Sequence, residues 1–255
     1  MALRSLEKWH GAGNDFLVEV SEHGTAPWWS PERAKAICDR TTGVGADGLL
    51  LATVGSVVSM VLYNADGSIA EMSGNGIRCL AAAVRRITDG TWDTLDVETV
   101  AGTRTVTLKM DDTAGYGSVA MGEVTFGETL PGTLGVAYVG NPHVVVRDDA
   151  KWTDAMREEL AESLSADMDG ANVEFLSVDD ETHLSIKVIE RGVGWTRACG
   201  TGSCAVVAVA HREEMCGIDV TVENPGGALR VTLDGAAATL SGPVQFVANV
   251  EWLEA

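Results

Sequence analysis

The chain has 255 residues, 45% hydrophobic and 22% charged, which is ordinary globular composition with length for one large domain or two small ones. Its formal net charge of −19 and the lack of any basic run argue against nucleic-acid or anionic-membrane binding. Charges at Arg4, Glu7, Lys8 and Asp15 interrupt the start of the chain, so no signal-peptide core is read there, and no stretch approaches the length of a membrane span.

In chain order, residues 3–10 and 14–20 read as two short strands joined at Gly11-Ala12-Gly13-Asn14-Asp15. Ser30 with Pro31 is a good cap and first-turn pair, predicting a helix over Pro31 to Arg40. Gly43-Val44-Gly45-Ala46-Asp47-Gly48 matches the dinucleotide pattern G-x-G-x-x-G, but a helix precedes it and a strand, 49–54, follows. The fingerprint needs the reverse order, so a turn is the better reading. Val57 to Tyr63 is a strand ending in the turn signal Asn64-Ala65-Asp66-Gly67-Ser68. Ser73-Gly74-Asn75-Gly76 then opens a helix of small apolar residues. Leu95 to Thr99 and Arg104 to Met110 form a hairpin around Ala101-Gly102, and 115–127 is strand and turn.

The second half repeats this plan. Strand, turn and strand are read around Gly140-Asn141-Pro142-His143, and helical spacing of Met156, Leu160 and Leu164 marks Thr153 to Ala166. A strand starts at Asn172, another runs from Leu184 to Glu190, and after a glycine-rich turn Cys199-Gly200-Thr201-Gly202 opens a second helix of small residues. Strands at 218–223, 228–233 and 237–241 follow. This weak internal repeat suggests duplication into two similar α/β lobes. Helices built from Ala81, Ala82, Ala83 or from Ala205, Val206, Val207, Ala208 lack a polar face and are expected inside a curved sheet.

A helix mouth flanked by glycines leaves backbone N–H groups free to grip an anion, and its dipole favours a thiolate there. Two such mouths could hold one carboxylate and move a proton at the adjacent carbon, with a base on one face and an acid on the other. The five cysteines are odd in number and unevenly spread, so reduced thiols in the cytoplasm are expected in place of a disulfide framework. Cys38, Cys79, Cys204 and Cys216 read as core residues. Cys199, which precedes its helix, is the reactive candidate. Cys199 and Cys204 have no second ligand pair, so no metal site is assigned. No pyridoxal site is identifiable either.

Taken together, His10 to Phe16, Gly43 to Leu50, Asn64 to Ser68, Gly74 to Cys79, Gly140 to His143, Glu190-Arg191-Gly192, Ala198 to Gly202 and Pro225-Gly226-Gly227 resemble the diaminopimelate epimerase family, in order and over nearly the whole chain. The resemblance implies two pseudo-symmetric α/β lobes, each a curved mixed sheet around a central helix, with the active site in the cleft between them. Residues 1–123, completed by a final strand over 245–255, would form one lobe and 124–244 the other. It implies cofactor-independent conversion of LL-diaminopimelate to the meso form, and a homodimer. By motif position, Asn14, Asn64, Asn141 and Asn172 would contact substrate, and Glu190 and Arg191 would grip its distal amino-acid end. Backbone N–H groups at Gly74, Asn75, Gly200 and Thr201 would hold the reacting carboxylate. His143 and Glu190 would tune the thiol acidities, and Cys199 matches one catalytic cysteine.

The sequence departs from the family pattern where the second catalytic cysteine belongs, directly before Gly-Asn-Gly; that residue is Ser73. Cys79, inside the helix, cannot substitute at its mouth. Three readings stay open: an introduced serine that cripples the site, a natural serine acting as proton donor or relay with Cys199 as main base, and drift to another substrate or to ligand binding without turnover. A second departure is Gly48, where some family members carry a substrate-contacting glutamine.

Overall fold

A computed structural model of the chain describes residues 3–22, 28–168 and 170–253, so the expected lobe ends at 1 and 255 lie outside the described residues. Contacts divide the chain into two compact units, Met1–Val119 with Gly242–Ala255, and Ala120–Ser241. The fold is mixed α+β and dominated by sheet.

In the first unit, β1 (Leu3–Gly11) and β2 (Asn14–Glu22) pair antiparallel. The tight turn between them holds Ala12 and Gly13 at positive φ, 52° and 78°. α1 (Pro31–Cys38) starts on Ser30, whose hydroxyl accepts the Arg33 N–H. It stops two residues before the predicted end at Arg40. There Asp39 turns extended, and its carboxylate accepts the Thr41 and Thr42 N–H groups at 2.8 and 2.6 Å. The glycine-rich stretch folds back over this helix end: Val44 and Gly45 donate to Ile37 O, and a Cβ on Gly43 would fall 2.2 Å from Ala36 O. It is a turn between a helix and a strand, as its setting predicts. β3 (Gly48–Val54) lies parallel to β2, and β4 (Val58–Asn64) lies antiparallel to β3. The two-residue β5 (Ile69–Ala70), not foreseen, pairs with the end of β4. α2 (Gly74–Ile87) crosses to β6 (Thr94–Thr99), parallel to β4, and β7 (Gly102–Met110) and β8 (Ala114–Glu123) follow antiparallel.

Side-chain alternation sorts this sheet into two faces. Leu6, Leu17 and Leu49 pack with Ala34 and Ile37 of α1 and with Trp29. α2 contacts β1, β2, β3, β4 and β7, and its residues from Gly74 to Val84 are all buried. That agrees with the expectation for a helix without a polar face, apart from two buried polar side chains, Asn75 at its mouth and Arg78, which is fully buried.

The second unit repeats the same succession. β9 (Thr125–Phe126), β10 (Gly135–Val139) and β11 (Asn141–Arg147) pair antiparallel. α3 (Asp154–Asp167) crosses to β12 (Asn172–Asp180), parallel to β11, and β13 (His183–Glu190) returns antiparallel. β14 (Gly194–Thr196) lies within the stretch read as a turn. Gly192 and Gly194, with φ 76° and 90°, reverse the chain so that it pairs with β13. α4 (Gly200–Arg212) crosses to β15 (Asp219–Asn224), parallel to β13, and β16 (Gly227–Asp234) and β17 (Ala237–Leu253) follow antiparallel. The segments predicted at 237–241 and 245–255 are thus one strand, whose last described residues pair with β1; 254 and 255 lie outside the described residues. Val144, Val146, Val173 and Phe175 pack against Ala161 and Leu164 of α3. α4 contacts β10, β11, β12, β15 and β16 and is buried from Gly200 to Ala210.

Each unit therefore runs antiparallel pair, parallel step across one helix, antiparallel pair, parallel step across the buried helix, antiparallel pair. The weak repeat in the sequence is a full repeat of topology. No helix among the described residues is long and apolar enough to cross a membrane.

Candidate active site

The two buried helices open alike. Ser73 is the N-cap of α2 with extended backbone (φ −141°, ψ 119°), and its Oγ accepts the Gly76 N–H at 3.0 Å. Cys199 is the N-cap of α4 (φ −121°, ψ 114°), and its Sγ accepts the Gly202 N–H at 3.4 Å. Serine is a favoured cap; a cysteine in the same role is not. Neither helix carries an acid in its first turn, and both carry basic residues in the last, Arg85 with Arg86 and His211 with Arg212. That arrangement leaves the positive end of each dipole uncompensated at the mouth, where an anion is favoured.

In the first unit Asn75 stands at the α2 mouth, where its Nδ2 donates to Asn14 Oδ1 at 3.2 Å, and Asn14 Nδ2 donates to Asp47 Oδ2 at 2.8 Å. Arg78 reaches back to the same turn, donating to Gly74 O at 2.9 Å and Asn75 Oδ1 at 2.8 Å. Ser73, Gly74, Asn75 and Asn14 are therefore brought together. Asn64 closes β4 in a turn of its own, donating through Nδ2 to Ser68 Oγ at 3.0 Å. Gly48 opens β3 with no side chain to offer.

In the second unit the side chains that face α4 come from one side of the sheet. His143 is fully buried; its Nδ1 lies 2.7 Å from Glu174 Oε1 and its Nε2 lies 3.0 Å from Asn141 Oδ1. Glu190 accepts from Thr196 Oγ1 at 2.6 Å. The Arg191 N–H donates to Asn172 Oδ1 at 2.9 Å. Its exposed guanidinium lies over Gly170, in a groove of about 620 Å³ also lined by Glu158, Glu162 and Ser165, and pairs with no carboxylate among the described residues. Thr201 Oγ1 is 3.4 Å from Cys199 Sγ.

The expectation that the helix dipole favours a Cys199 thiolate is overturned. Burial first, then the charges of Glu190 and Glu174, push the thiol well above its ordinary value, outweighing the pull of the Thr201 hydroxyl and the Gly202 N–H. Cys79 is a core thiol that burial pushes up to about 12. Among the described residues no cluster of three or more His, Cys, Asp or Glu could hold a metal ion.

Three residues escaped the sequence reading. Glu174 is a fully buried carboxylate, Arg78 a fully buried guanidinium, and Asn224 accepts the Cys199 N–H at 3.4 Å while donating to Ser203 Oγ. The first two carry a visible signal, since a lone charge inside Val173-Glu174-Phe175-Leu176 or Ile77-Arg78-Cys79-Leu80 needs a reason to be buried. Asn224 carries none.

A family model described as diaminopimelate epimerase matches residues 7–127 and 135–247. The chain belongs to the diaminopimelate epimerase family. Among its relatives, the diaminopimelate epimerase of a Synechococcus species is 36% identical over 279 residues, covering 95% of this chain and 96% of that protein. The diaminopimelate epimerase of Xanthomonas oryzae pv. oryzae is 37% identical, covering 96% and 95%. Solved structures share the fold at lower identity. A hydroxyproline epimerase from Agrobacterium vitis superposes with a TM-score of 0.76 at 14% identity, over 99% of this chain and 91% of that one. A phenazine biosynthesis protein of the PhzF family from Bacillus anthracis gives 0.74 at 15%, over the whole of both chains. Every site residue singled out above lies inside the diaminopimelate epimerase match, Ser73 included.

Proposed function

We propose that this chain interconverts LL- and meso-diaminopimelate without a cofactor, moving the α-proton between Cys199 on one face of the carbon and Ser73 on the other. The observation that carries the reading is the shared geometry of the two helix mouths, each with a nucleophile as N-cap bonded to a glycine N–H three residues on. The N–H groups at Gly74, Asn75, Gly200 and Thr201 hold the reacting carboxylate. Removing an α-proton loads negative charge onto that carboxylate, and oriented N–H groups stabilise it as it forms. Arg191, which pairs with no carboxylate among the described residues, pairs with the distal carboxylate in a bidentate contact, and Glu190 takes the distal amino end. Asn14, Asn64, Asn141 and Asn172 contact the rest of the substrate. Cys199 is the main base; Ser73, whose hydroxyl is several pKa units less acidic than a thiol, acts as donor or relay. A homodimer in the cytoplasm belongs to the same reading.

The test is deuterium wash-in from solvent, starting from each isomer in turn. Incorporation is expected to be lopsided, because a serine and a cysteine abstract protons with unequal ease, and Cys199→Ser is expected to abolish what exchange there is. Equal, fast incorporation from both isomers would overturn the role given to Ser73. The same serine favours a second reading, binding without turnover. Calorimetric binding of diaminopimelate with no exchange from either isomer would establish it.

A further inference from the structure

Two charged residues of the first unit have no part in the reaction above: Arg78, buried inside α2, and Asp47, which ends the glycine-rich turn before β3. Helix geometry sends a side chain back toward the N-terminus, over the residues three and four before it. Arg78 follows that course, donating to Gly74 O at 2.9 Å and to Asn75 Oδ1 at 2.8 Å. Glycines keep its room open: a Cβ at Gly117 would lie 3.1 Å from Arg78 Cδ, and one at Gly11 would lie 3.4 Å from Nη2. Asp47 reaches the same place from the other side. Its Oδ1 accepts from Arg40 at 2.8 Å, and its Oδ2 accepts both the Asp15 N–H at 3.1 Å and Asn14 Nδ2 at 2.8 Å.

An amide side chain carries an acceptor on one side and donors on the other, so its direction follows from what faces it. A guanidinium only donates. The Asn75 atom facing Arg78 is therefore its oxygen, and its nitrogen turns to Asn14. A carboxylate oxygen that already holds a backbone N–H only accepts. The Asn14 atom facing Asp47 is therefore its nitrogen, and its oxygen turns to Asn75. The two assignments start from opposite ends and meet as donor and acceptor, Asn75 Nδ2 to Asn14 Oδ1 at 3.2 Å. The four side chains thus form one directed chain, with a cation at its buried end and an anion at its exposed end.

We propose that Arg78 and Asp47 are positioning residues that set, from opposite ends, the direction in which Asn14 faces the substrate. Asn14 has its oxygen engaged by Asn75 and one N–H engaged by Asp47. It turns its second N–H to the ligand, which suits a carboxylate oxygen and not an ammonium group. Asn75 is only 1% exposed, so its side chain is the link in the chain and its backbone N–H is what it offers the ligand. Neither Arg78 nor Asp47 touches the substrate. The proposal rests on the reading of Asn14 as a substrate contact and deepens it.

The test is a double-mutant cycle on diaminopimelate affinity, measured by calorimetry, with Arg78→Met and Asp47→Ala singly and together. Each single change leaves Asn14 directed from the other end. Both together leave it loose, which halves the fraction facing the ligand correctly and adds the cost of immobilising one side chain. The double variant is therefore expected to bind about five- to twenty-fold more weakly than the product of the two single effects. Charge acting through space predicts otherwise: losing a cation and losing an anion act oppositely on a carboxylate, and the two effects would offset. A purely structural role would lower the melting temperature and leave the affinities multiplicative. A double variant that equals the product of the singles overturns the proposal. Should Arg78→Met not fold, neutron diffraction from crystals of the unaltered chain in deuterated solvent decides. Deuterons are expected on the Asn14 atom facing Asp47 and on the Asn75 atom facing Asn14, and either amide found reversed overturns the proposal. The neutron map needs no ligand, so failure of diaminopimelate to bind the unaltered chain would count against the epimerase reading and leave this one decided by the map.

Discussion

Replacing Ser73 by cysteine tests the two-group reading most directly, because the second unit shows how a sulfur fits an equivalent mouth. Ser73 Oγ lies 3.0 Å from the Gly76 N–H nitrogen, and Cys199 Sγ lies 3.4 Å from that of Gly202. A Cβ imagined at either glycine would be 3.2 Å from the facing Oγ or Sγ, so the cap atom stands alike toward the glycine in both mouths. A thiol therefore needs a shift of a few tenths of an ångström, well inside what a flexible χ1 absorbs. A serine is the better cap, and losing a good one costs about 0.5–2 kcal/mol, so Ser73→Cys is expected to melt slightly lower. In exchange it gains a general acid–base group suited to neutral pH, an effect of about 10²–10⁴-fold in rate. The assay is deuterium incorporation and net epimerisation from each isomer, with thermal unfolding alongside. Rate and stability should move in opposite directions, and the lopsidedness between isomers should shrink. A Ser73→Cys protein that folds and is no faster would refute the pairing of the two mouths.

Gly202→Ala should cost about 1–3 kcal/mol in denaturant unfolding, because its Cβ meets the buried Glu174 carboxylate at 2.5 Å, whereas Gly76→Ala, with contacts at 3.1–3.3 Å, should come out near neutral after the helix-propensity gain of alanine; similar losses at both sites would contradict this crowding at the Cys199 mouth. Arg78→Lys should lower stability by about 1–2 kcal/mol, because one ammonium cannot copy the fork that reaches both Gly74 O and Asn75 Oδ1; an unchanged melt would mean those bonds are dispensable. Burial pushes the Cys38 and Cys79 thiols up to about 12. Their folded values are raised, so the stability they confer is whole below the ordinary thiol value of 9.0 and is lost as pH rises toward 12. Unfolding free energy should therefore fall across that alkaline window, and less steeply in Cys79→Ala than in the unaltered chain.

Most strands were legible because alternation and glycine punctuation are local signals, and both helix mouths were legible because a cap, a glycine pair and an apolar run sit side by side in sequence. The two-residue β5 and the three-residue β14 were not, since so short a pairing is decided by the neighbouring strand and leaves no period to read. α1 ended early because Asp39 offered its carboxylate to two N–H groups in competition with the helix. The site was legible where identity at a motif position matters, as at Asn75, His143 and Cys199. It was not legible where the partner is distant in sequence: His143 meets Glu174 across a parallel strand pair, 31 residues away, and no local pattern states that. The acidity of Cys199 was misread for the same reason. The favourable dipole is local and visible, whereas the burial and the two carboxylates that outweigh it come from other elements.

Duplicated topology makes the chemical difference between the halves informative. Asn14 and Asn141 each open the second strand of their pair, Gly48 and Asn172 each open the next, Asn64 and Glu190 each close the following one, and Ser73 and Cys199 each cap the buried helix. The scaffold positions are equivalent; the charges around them are not. The mouth capped by Ser73 is backed by the buried guanidinium of Arg78, held one residue from the cap through Gly74 O. The mouth capped by Cys199 is backed by the carboxylates of Glu174 and Glu190. A nearby cation favours loss of a proton and a nearby anion opposes it. The hydroxyl, which gives up its proton with greater difficulty, thus stands by the cation, and the thiol, which gives it up more easily, stands by the anions. Burial and these two carboxylates push the Cys199 thiol up, and on the two-group reading proposed above a cation beside Ser73 would work in the opposite sense on the hydroxyl. Matched acidities are what a reversible proton exchange between two groups requires, because a large mismatch would leave one direction of the reaction uphill.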